Sequence, residues 1–264
     1  MTMPKITVIT PTFNAEKYLE QILDTVAEQN YPNLEYIIVD GGSTDKTMQI
    51  VRGARKGLIT RWISEPDHGI SDAFNKGIQM ATGDIVGIIN ADDGYLPGAL
   101  AAVAETAQNH PDSDVYYGNA IHERFDGTDV YEFRPKPQIG PDIWRSMPVS
   151  HPATFVRRLA YERFGLFDTR CPLAMDYELL LRFYCMGANF QHVNAFIARF
   201  RYGQARGLGV LKEVRDSRIR NGQAPFLANC SYLQSYTRAL VKMIVPVFVQ
   251  KMIKNWMQKP SIAA

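Results

Sequence analysis

Asp92 and Asp93 end a short apolar run, Gly83-Asp84-Ile85-Val86-Gly87-Ile88-Ile89-Asn90-Ala91, just ahead of Gly94 and Pro97. A β-branched run of this length reads as a buried parallel strand. Ligands of open α/β sheets bind beyond the carboxyl ends of such strands. Two carboxylates there suit a divalent cation, which takes hard oxygen ligands and can bridge to a diphosphate. A second acid-ended run, Leu34-Glu35-Tyr36-Ile37-Ile38-Val39-Asp40, leads into Gly41-Gly42-Ser43-Thr44-Asp45. A lone Asp-Asp is equally at home in a turn, one Asp capping the helix that Leu96 begins. The second acid-ended strand shifts the balance toward a nucleotide diphosphate held through a metal.

Two further strings carry side chains suited to such a ligand. Ile9-Thr10-Pro11-Thr12-Phe13-Asn14 links a first strand to its helix, where backbone groups and small hydroxyls can meet a flat base. Asp40 can accept from the imide N–H of a pyrimidine such as uracil; helix capping by Asn14 and turn formation by Asp40 are the alternatives. In Glu65-Pro66-Asp67-His68-Gly69-Ile70-Ser71-Asp72-Ala73-Phe74-Asn75-Lys76-Gly77, Gly69 permits close backbone approach. The helical N–H groups beyond it favour an anion. Lys76 is then either a phosphate contact or a solvated surface lysine, and His68 reads as a turn residue because metal-ligand spacing is missing nearby.

The elements that must position these residues follow from periodicity. Lys5–Thr10 reads as a strand and Ala15–Gln29 as a helix, its Tyr18, Leu19, Ile22, Leu23 and Val26 at helical spacing. Strand Leu34–Val39, helix Thr44–Lys56, strand Leu58–Ser64, helix Ile70–Ala81, strand Ile85–Asn90 and helix Leu96–Asn109 complete a βαβ series, which implies a parallel sheet with right-handed crossovers. Beyond Pro111, strands are expected at Val115–Gly118, Val130–Phe133 and Ser150–Val156, and a helix at Met175–Met186. A basic helix at Leu208–Asn221 and a tail from Leu227 to Trp256, kinked at Pro246, follow.

With 264 residues, 46% hydrophobic and 21% charged, the chain can bury one large core with an appendage. Cys171, Cys185 and Cys230 are far apart and odd in number, which excludes a disulfide framework or zinc cluster and makes reduced thiols in the cytoplasm the default. The N-terminus lacks the apolar core of a signal peptide, and no stretch reaches the length of a membrane span. The net charge of +2 hides an asymmetry: from Arg199 to Ala264, 12 Lys or Arg face only Glu213 and Asp216, leaving residues 1–198 at −8. A basic tail of this kind meets an anionic partner, whether lipid surface, nucleic acid or another subunit. Nucleic acid is disfavoured because the basic residues sit in no recognition motif.

As a set and in this order, Pro-Thr-Phe-Asn, Val-Asp-Gly-Gly-Ser-Thr-Asp, the Asp67–Gly77 string and Asn-Ala-Asp-Asp-Gly resemble family 2 glycosyltransferases of the GT-A fold over roughly residues 4–200. The Asp67–Gly77 string is most similar to the bacterial subgroup that builds O-antigen and other surface polysaccharides. The resemblance implies an α/β fold with a mainly parallel central sheet flanked by helices: a catalytic domain over residues 1–205 and a helical tail over 206–264. It implies an inverting enzyme that uses a nucleotide-diphospho-sugar, commonly a UDP-sugar, with Mn²⁺ or Mg²⁺. By position, Asp40 contacts the base, framed by Pro11, Thr12 and Asn14, and Asp67, Gly69, Asp72, Asn75 and Lys76 belong to the donor side. Asp93 is the direct metal ligand and Asp92 lies nearer ribose or water. The general base falls in Ala174-Met175-Asp176-Tyr177-Glu178-Leu179-Leu180-Leu181-Arg182, with Asp176 first and Glu178 second, since positions two apart on a helix do not share a face. Met175 stands where many relatives carry another acid, and an N-cap is the alternative role for Asp176. His151 borders the acceptor pocket or is a structural histidine.

The acceptor implied is a glycan or polyprenyl-linked glycan at the cytoplasmic face of the bacterial inner membrane. Arg238, Lys242, Lys251, Lys254 and Trp256 are candidate anchors to anionic headgroups, with packing onto the catalytic domain or onto a second subunit in a homodimer as the alternative. The chain lacks the Gln-x-x-Arg-Trp motif of processive synthases, so one sugar per acceptor is expected. A sugar-nucleotide nucleotidyltransferase would open with a Gly-rich loop after the first strand, where this chain has Pro-Thr-Phe-Asn. A non-catalytic scaffold has no need of Asp92, Asp93 and Asp176.

Overall fold

Residues 3–203 and 207–244 are described by the computed structural model. Contacts divide the chain into two units, Met1–Ala205 and Arg206–Ala264. The first unit is built on β1 (Ile6–Thr12), α1 (Leu19–Ala27), β2 (Leu34–Asp40), α2 (Thr47–Gly53), β3 (Arg61–Ser64), α3 (Ile70–Met80), β4 (Ile85–Ile88), β5 (Gly94–Tyr95), α4 (Ala99–Asn109), β6 (Val115–Arg124), β7 (Val130–Phe133), β8 (Thr154–Arg157), α5 (Arg158–Phe164), α6 (Met175–Cys185) and β9 (Phe190–Tyr202). The sheet order is β3-β2-β1-β4-β8-β6-β9-β5, with β7 paired to the outer half of β6.

β1, β2 and β4 bury nearly every residue, as strands covered by helices on both faces must. α1 presents Leu19, Ile22, Leu23 and Val26 to that core, the stripe its spacing predicts. The parallel block is confined to β3-β2-β1-β4. Beyond it β8 runs antiparallel to β4 and to β6, while β6 and β9 are parallel, so the sheet is mainly parallel with antiparallel strands inserted.

Several boundaries differ from the sequence expectation for local reasons. β1 continues through Pro11 and Thr12, which stay in register with Val39 and Asp40. Gly94-Tyr95 pairs with Arg199-Ala198 as β5, which delays the next helix to Ala99. Ser150–Val156 splits into a 3₁₀ turn, His151–Ala153, and β8. β9 had no sequence signal: of its 13 residues only Val193, Ile197 and Ala198 are buried, and polar and aromatic side chains hide the alternation.

The second unit contains α7 (Gly209–Arg220) and α8 (Pro225–Ile244). The Arg215 guanidinium lies 5.1 Å from the centre of the Tyr232 ring, which is 5.7 Å from that of Tyr236. Among the described residues no helix is long and apolar enough to cross a membrane. The expected kink at Pro246 and the candidate anchors Lys251, Lys254 and Trp256 lie outside the described residues, as does the Lys242 side chain.

One buried acid ties the parallel block together. Glu35 on β2 accepts from Thr7 Oγ1 (2.6 Å), Arg61 (2.9 Å), and the Thr82 amide (2.8 Å) and hydroxyl (2.7 Å). Burial alone would raise its pKa, but these donors outweigh it and hold the carboxyl at about 2. A depressed carboxyl stabilises the fold above its unfolded pKa, and that stability disappears as pH falls toward the folded value. The unfolding free energy should therefore drop between about pH 4.5 and pH 2, by about 2 kcal/mol from this group. Urea titrations of wild type and Glu35→Gln should differ most at pH 6 and converge as pH approaches 2.

Candidate active site

β2, β1 and β4 end side by side, and the loops leaving them surround a cavity of about 700 Å³. Its walls come from all four predicted strings and the start of α1: Pro11, Thr12, Phe13 and Asn14 from the β1 exit with Tyr18 beyond it, Gly41 after β2, Asp67, Gly69, Ile70 and Ala73 before and within α3, and Asn90, Ala91 and Asp92 after β4. Of the expected site residues the structure thus brings together Pro11, Thr12, Asn14, Asp67, Gly69 and Asp92. A larger cleft of about 1340 Å³, open to solvent beside α1 and α2, holds acids and bases together and none of these residues, so size does not mark the chemistry.

Asp40 is corrected by the structure: it is fully buried and faces the protein. Its Oδ1 accepts from Thr12 Oγ1 (3.0 Å) and Ser43 Oγ (2.5 Å), and its Oδ2 from the amides of Gly42 (3.2 Å) and Ser43 (3.0 Å) and from Ser64 Oγ (2.6 Å). Burial would raise its pKa; the hydrogen bonds from Ser43, Ser64 and Thr12 win and lower it. Its acceptor positions are spent on shaping the loop rather than on a base. Asn14, with φ of 49°, joins the same knot: its amide donates to Ser43 Oγ (2.8 Å) and its Oδ1 accepts from the Thr44 amide (2.9 Å).

The α3 residues divide likewise. Asp67 lines the cavity and fixes the turn by accepting the Gly69 amide at 2.9 Å. Gly69 has φ of 105°, a conformation that excludes a side chain at low cost. Lys76, a candidate phosphate contact, instead pairs with Glu65 (2.9 Å) and Asp72 (3.5 Å) and donates to the Pro66 carbonyl (3.0 Å). Asp72 accepts the His68 amide (3.0 Å), and Asn75 exchanges two hydrogen bonds with the Phe167 backbone (2.9 and 3.0 Å). These three residues brace the loop from outside the cavity, a second correction.

At the end of β4 the two acids differ in burial and in partners. Asp92 lines the cavity, whereas Asp93 is 3% exposed and accepts the Arg201 amide from β9 at 2.9 Å. Burial raises the pKa of Asp92; burial and then the neighbouring Asp92 charge push Asp93 well above the usual carboxylate range. Asn90 Oδ1, beside them in the wall, is buried without a hydrogen-bond partner. Among the described residues no three His, Cys, Asp or Glu converge on one point. Strained acids beside an orphaned carbonyl oxygen fit a hard divalent cation that takes one or two protein carboxylates and completes its shell from phosphate and water.

Asp176 lies elsewhere. It occupies the first turn of α6, not its N-cap, which is Ala174, and lines a small cavity of about 20 Å³ with His151, Thr154, Phe167 and apolar neighbours. His151 stacks on Phe74, ring centres 5.3 Å apart. Glu178, the alternative base, is buried and forks onto Arg182 (3.0 and 3.1 Å), which also donates to the carbonyls of Leu166 (2.7 Å) and Phe164. Phe13, Gly41 and Asn90 were not singled out by sequence, and only their position inside the recognised strings pointed to them; Tyr18, read there as part of the apolar stripe of the first helix, lines the cavity instead.

Comparison with known proteins agrees with this layout. The profile of Glycosyl transferase family 2 matches residues 7–164. A PGL/p-HBAD biosynthesis glycosyltransferase of Mycobacterium tuberculosis is 32% identical over 186 residues, 69% of this chain and 70% of the relative. The O-antigen biosynthesis protein RfbC of Myxococcus xanthus is 29% identical over 219 residues, 78% of this chain but 17% of that protein. Among solved structures, S. aureus TarS 1–349 in complex with UDP-GlcNAc superposes with a TM-score of 0.65 at 18% identity, covering 93% of this chain and 77% of TarS. The mannosyltransferase PcManGT of Pyrobaculum calidifontis, in complex with GDP-Man and Mn²⁺, gives 0.65 at 22%, covering 97% and 80%. The fold is GT-A.

Removing Arg182 should expose the structural nature of the Glu178 pair. Arg182→Met leaves a buried carboxylate unpaired and is expected to cost about 3–5 kcal/mol. Glu178→Leu together with Arg182→Leu should recover much of that loss, as read from urea midpoints.

Proposed function

The chain belongs to glycosyl transferase family 2, and from that premise we propose that it transfers one sugar from a nucleotide-diphospho-sugar, a UDP-sugar, to a hydroxyl of a glycan or lipid-linked glycan in bacterial surface-polysaccharide assembly. One observation carries this reading: the four sequence strings converge on a single cavity at the carboxyl ends of β2, β1 and β4. Two strand spacings separate the ends of β2 and β4, about 10 Å, the reach from a nucleobase to its diphosphate. The base then lies over Phe13 and Gly41, and the diphosphate comes to Asn90 and Asp92.

Asp92 and Asn90 Oδ1 would hold Mn²⁺ or Mg²⁺, which when bound offsets charge building on the departing diphosphate. Asp93, locked to the Arg201 amide, anchors the turn that presents them. Asp176 serves as base: it takes the proton of the acceptor hydroxyl while that oxygen bonds to C1 and the C1–diphosphate bond breaks, so the anomeric centre inverts. The choice of Asp176 over Glu178 is supported by the pairing of Glu178 with Arg182 and by the place of Asp176 in the wall of a cavity. His151, in the same cavity, belongs to the acceptor side. The basic second unit offers a surface for anionic headgroups, with Arg238 on α8 one of its charges.

Thermal-shift screening of UDP-, GDP- and dTDP-sugars with Mn²⁺ tests the donor, since a ligand of the folded state raises apparent stability. Asp92→Asn should lose the Mn²⁺-dependent part of the shift. Asp176→Asn should keep donor binding and lose transfer by about 10²–10⁴-fold. Full turnover in that variant would refute the base assignment, and absence of any shift across the donor panel would refute the donor.

A further inference from the structure

We propose that Asp67, seated in the space a side chain at position 41 would fill, is the acid that reads the ring N–H of the donor's nucleobase. The proposal rests on the sugar-nucleotide reading above and specifies how this chain recognises the base. The acid at the end of β2 cannot do so, because Asp40 is fully buried and already accepts five hydrogen bonds. The next residue, Gly41, lines the cavity but has no side chain to offer. A Cβ built on Gly41 would meet Asp67 Oδ2 at 2.4 Å and Asp67 Cγ at 3.1 Å, so the Asp67 carboxylate occupies the space that a side chain at position 41 would take. Asp67 reaches this spot from the loop before α3, its Oδ1 held by the Gly69 amide. Oδ2 accepts no hydrogen bond from the described residues, and it stands at the cavity wall.

The neighbouring surface suits a flat ring. Phe13 Cδ2 lies 3.4 Å from the same Cβ point, and its ring is 66% exposed although it lines the cavity. A carboxylate only accepts hydrogen bonds. Beside an open aromatic face it selects bases with a protonated ring nitrogen, N3–H of uracil or thymine or N1–H of guanine. It disfavours cytosine and adenine, whose corresponding ring nitrogens are acceptors.

Calorimetric titration of the full chain with UDP, 3-methyluridine diphosphate, CDP, GDP and ADP, each with Mn²⁺, tests this. Wild type should prefer UDP over both 3-methyluridine diphosphate and CDP by about 10-fold or more, the worth of one hydrogen bond to a charged group. Asp67→Ala, confirmed folded by thermal unfolding, should erase that preference while leaving 3-methyluridine diphosphate within about 3-fold of its wild-type affinity, and Asp67→Asn, whose carbonyl still accepts but whose NH2 can donate to cytosine N3, should lose the discrimination against CDP. Gly41→Asp alone should weaken UDP binding by crowding two carboxylates, and Gly41→Asp with Asp67→Gly should restore both affinity and preference. A preference for GDP over ADP that Asp67→Ala abolishes would support the same contact with guanine as the base. Wild-type selectivity that persists in Asp67→Ala overturns the inference and leaves the donor reading standing. A folded wild type that binds none of the five nucleotides overturns both.

Discussion

The cavity at the ends of β2, β1 and β4 depends on one fully buried carboxylate. Asp40 collects donors from β1, from its own following loop and from β3, so the exits of three strands are fastened to one buried point. Without it the amides of Gly42 and Ser43 would need other partners, and buried groups left without them cost about 1–3 kcal/mol each. The net lowering of its pKa despite burial shows that the donors outweigh desolvation. Everything the cavity presents is placed relative to this knot: the Pro11–Asn14 exit on one side and the bare Gly41 backbone on the other.

Charge is spent differently at the two ends of the cavity. Near β2 the acid is saturated and the loop stiff. At the end of β4 the acids are under-satisfied: Asp92 and Asp93 are raised by burial, Asp93 also by its neighbour, and Asn90 Oδ1 has no partner. The position of Arg201, whose amide holds Asp93 from β9, ties this corner to a strand from the far half of the chain.

Most of the parallel block was legible in sequence because its strands are buried on both faces and its helices carry one apolar stripe. The cavity residues were legible as strings rather than as roles. Asp40 looked like a ligand group because sequence shows an acid after a strand but not the five donors around it. Lys76 looked free because its partners include Glu65, at the far side of a turn whose path sequence does not fix. The difference between Asp92 and Asp93 depended on a hydrogen bond to β9, a strand without recognisable periodicity. Where one-dimensional pattern and three-dimensional pairing diverge, the divergence falls on charged residues, whose burial sequence does not reveal.

The same logic separates the two acids of α6. Asp176 and Glu178 are two positions apart, and spacing alone says that they face different ways. Pairing then assigns them. Glu178 is surrounded by a guanidinium that also caps the carbonyls of Phe164 and Leu166, so its charge is spent on joining α6 to the end of α5. Asp176 sits in the first turn of the helix, where its Oδ1 accepts the Tyr177 amide (2.9 Å), in a small cavity shared with His151 and Thr154. Glu178, locked to Arg182, cannot change partners without breaking the packing that joins the two helices.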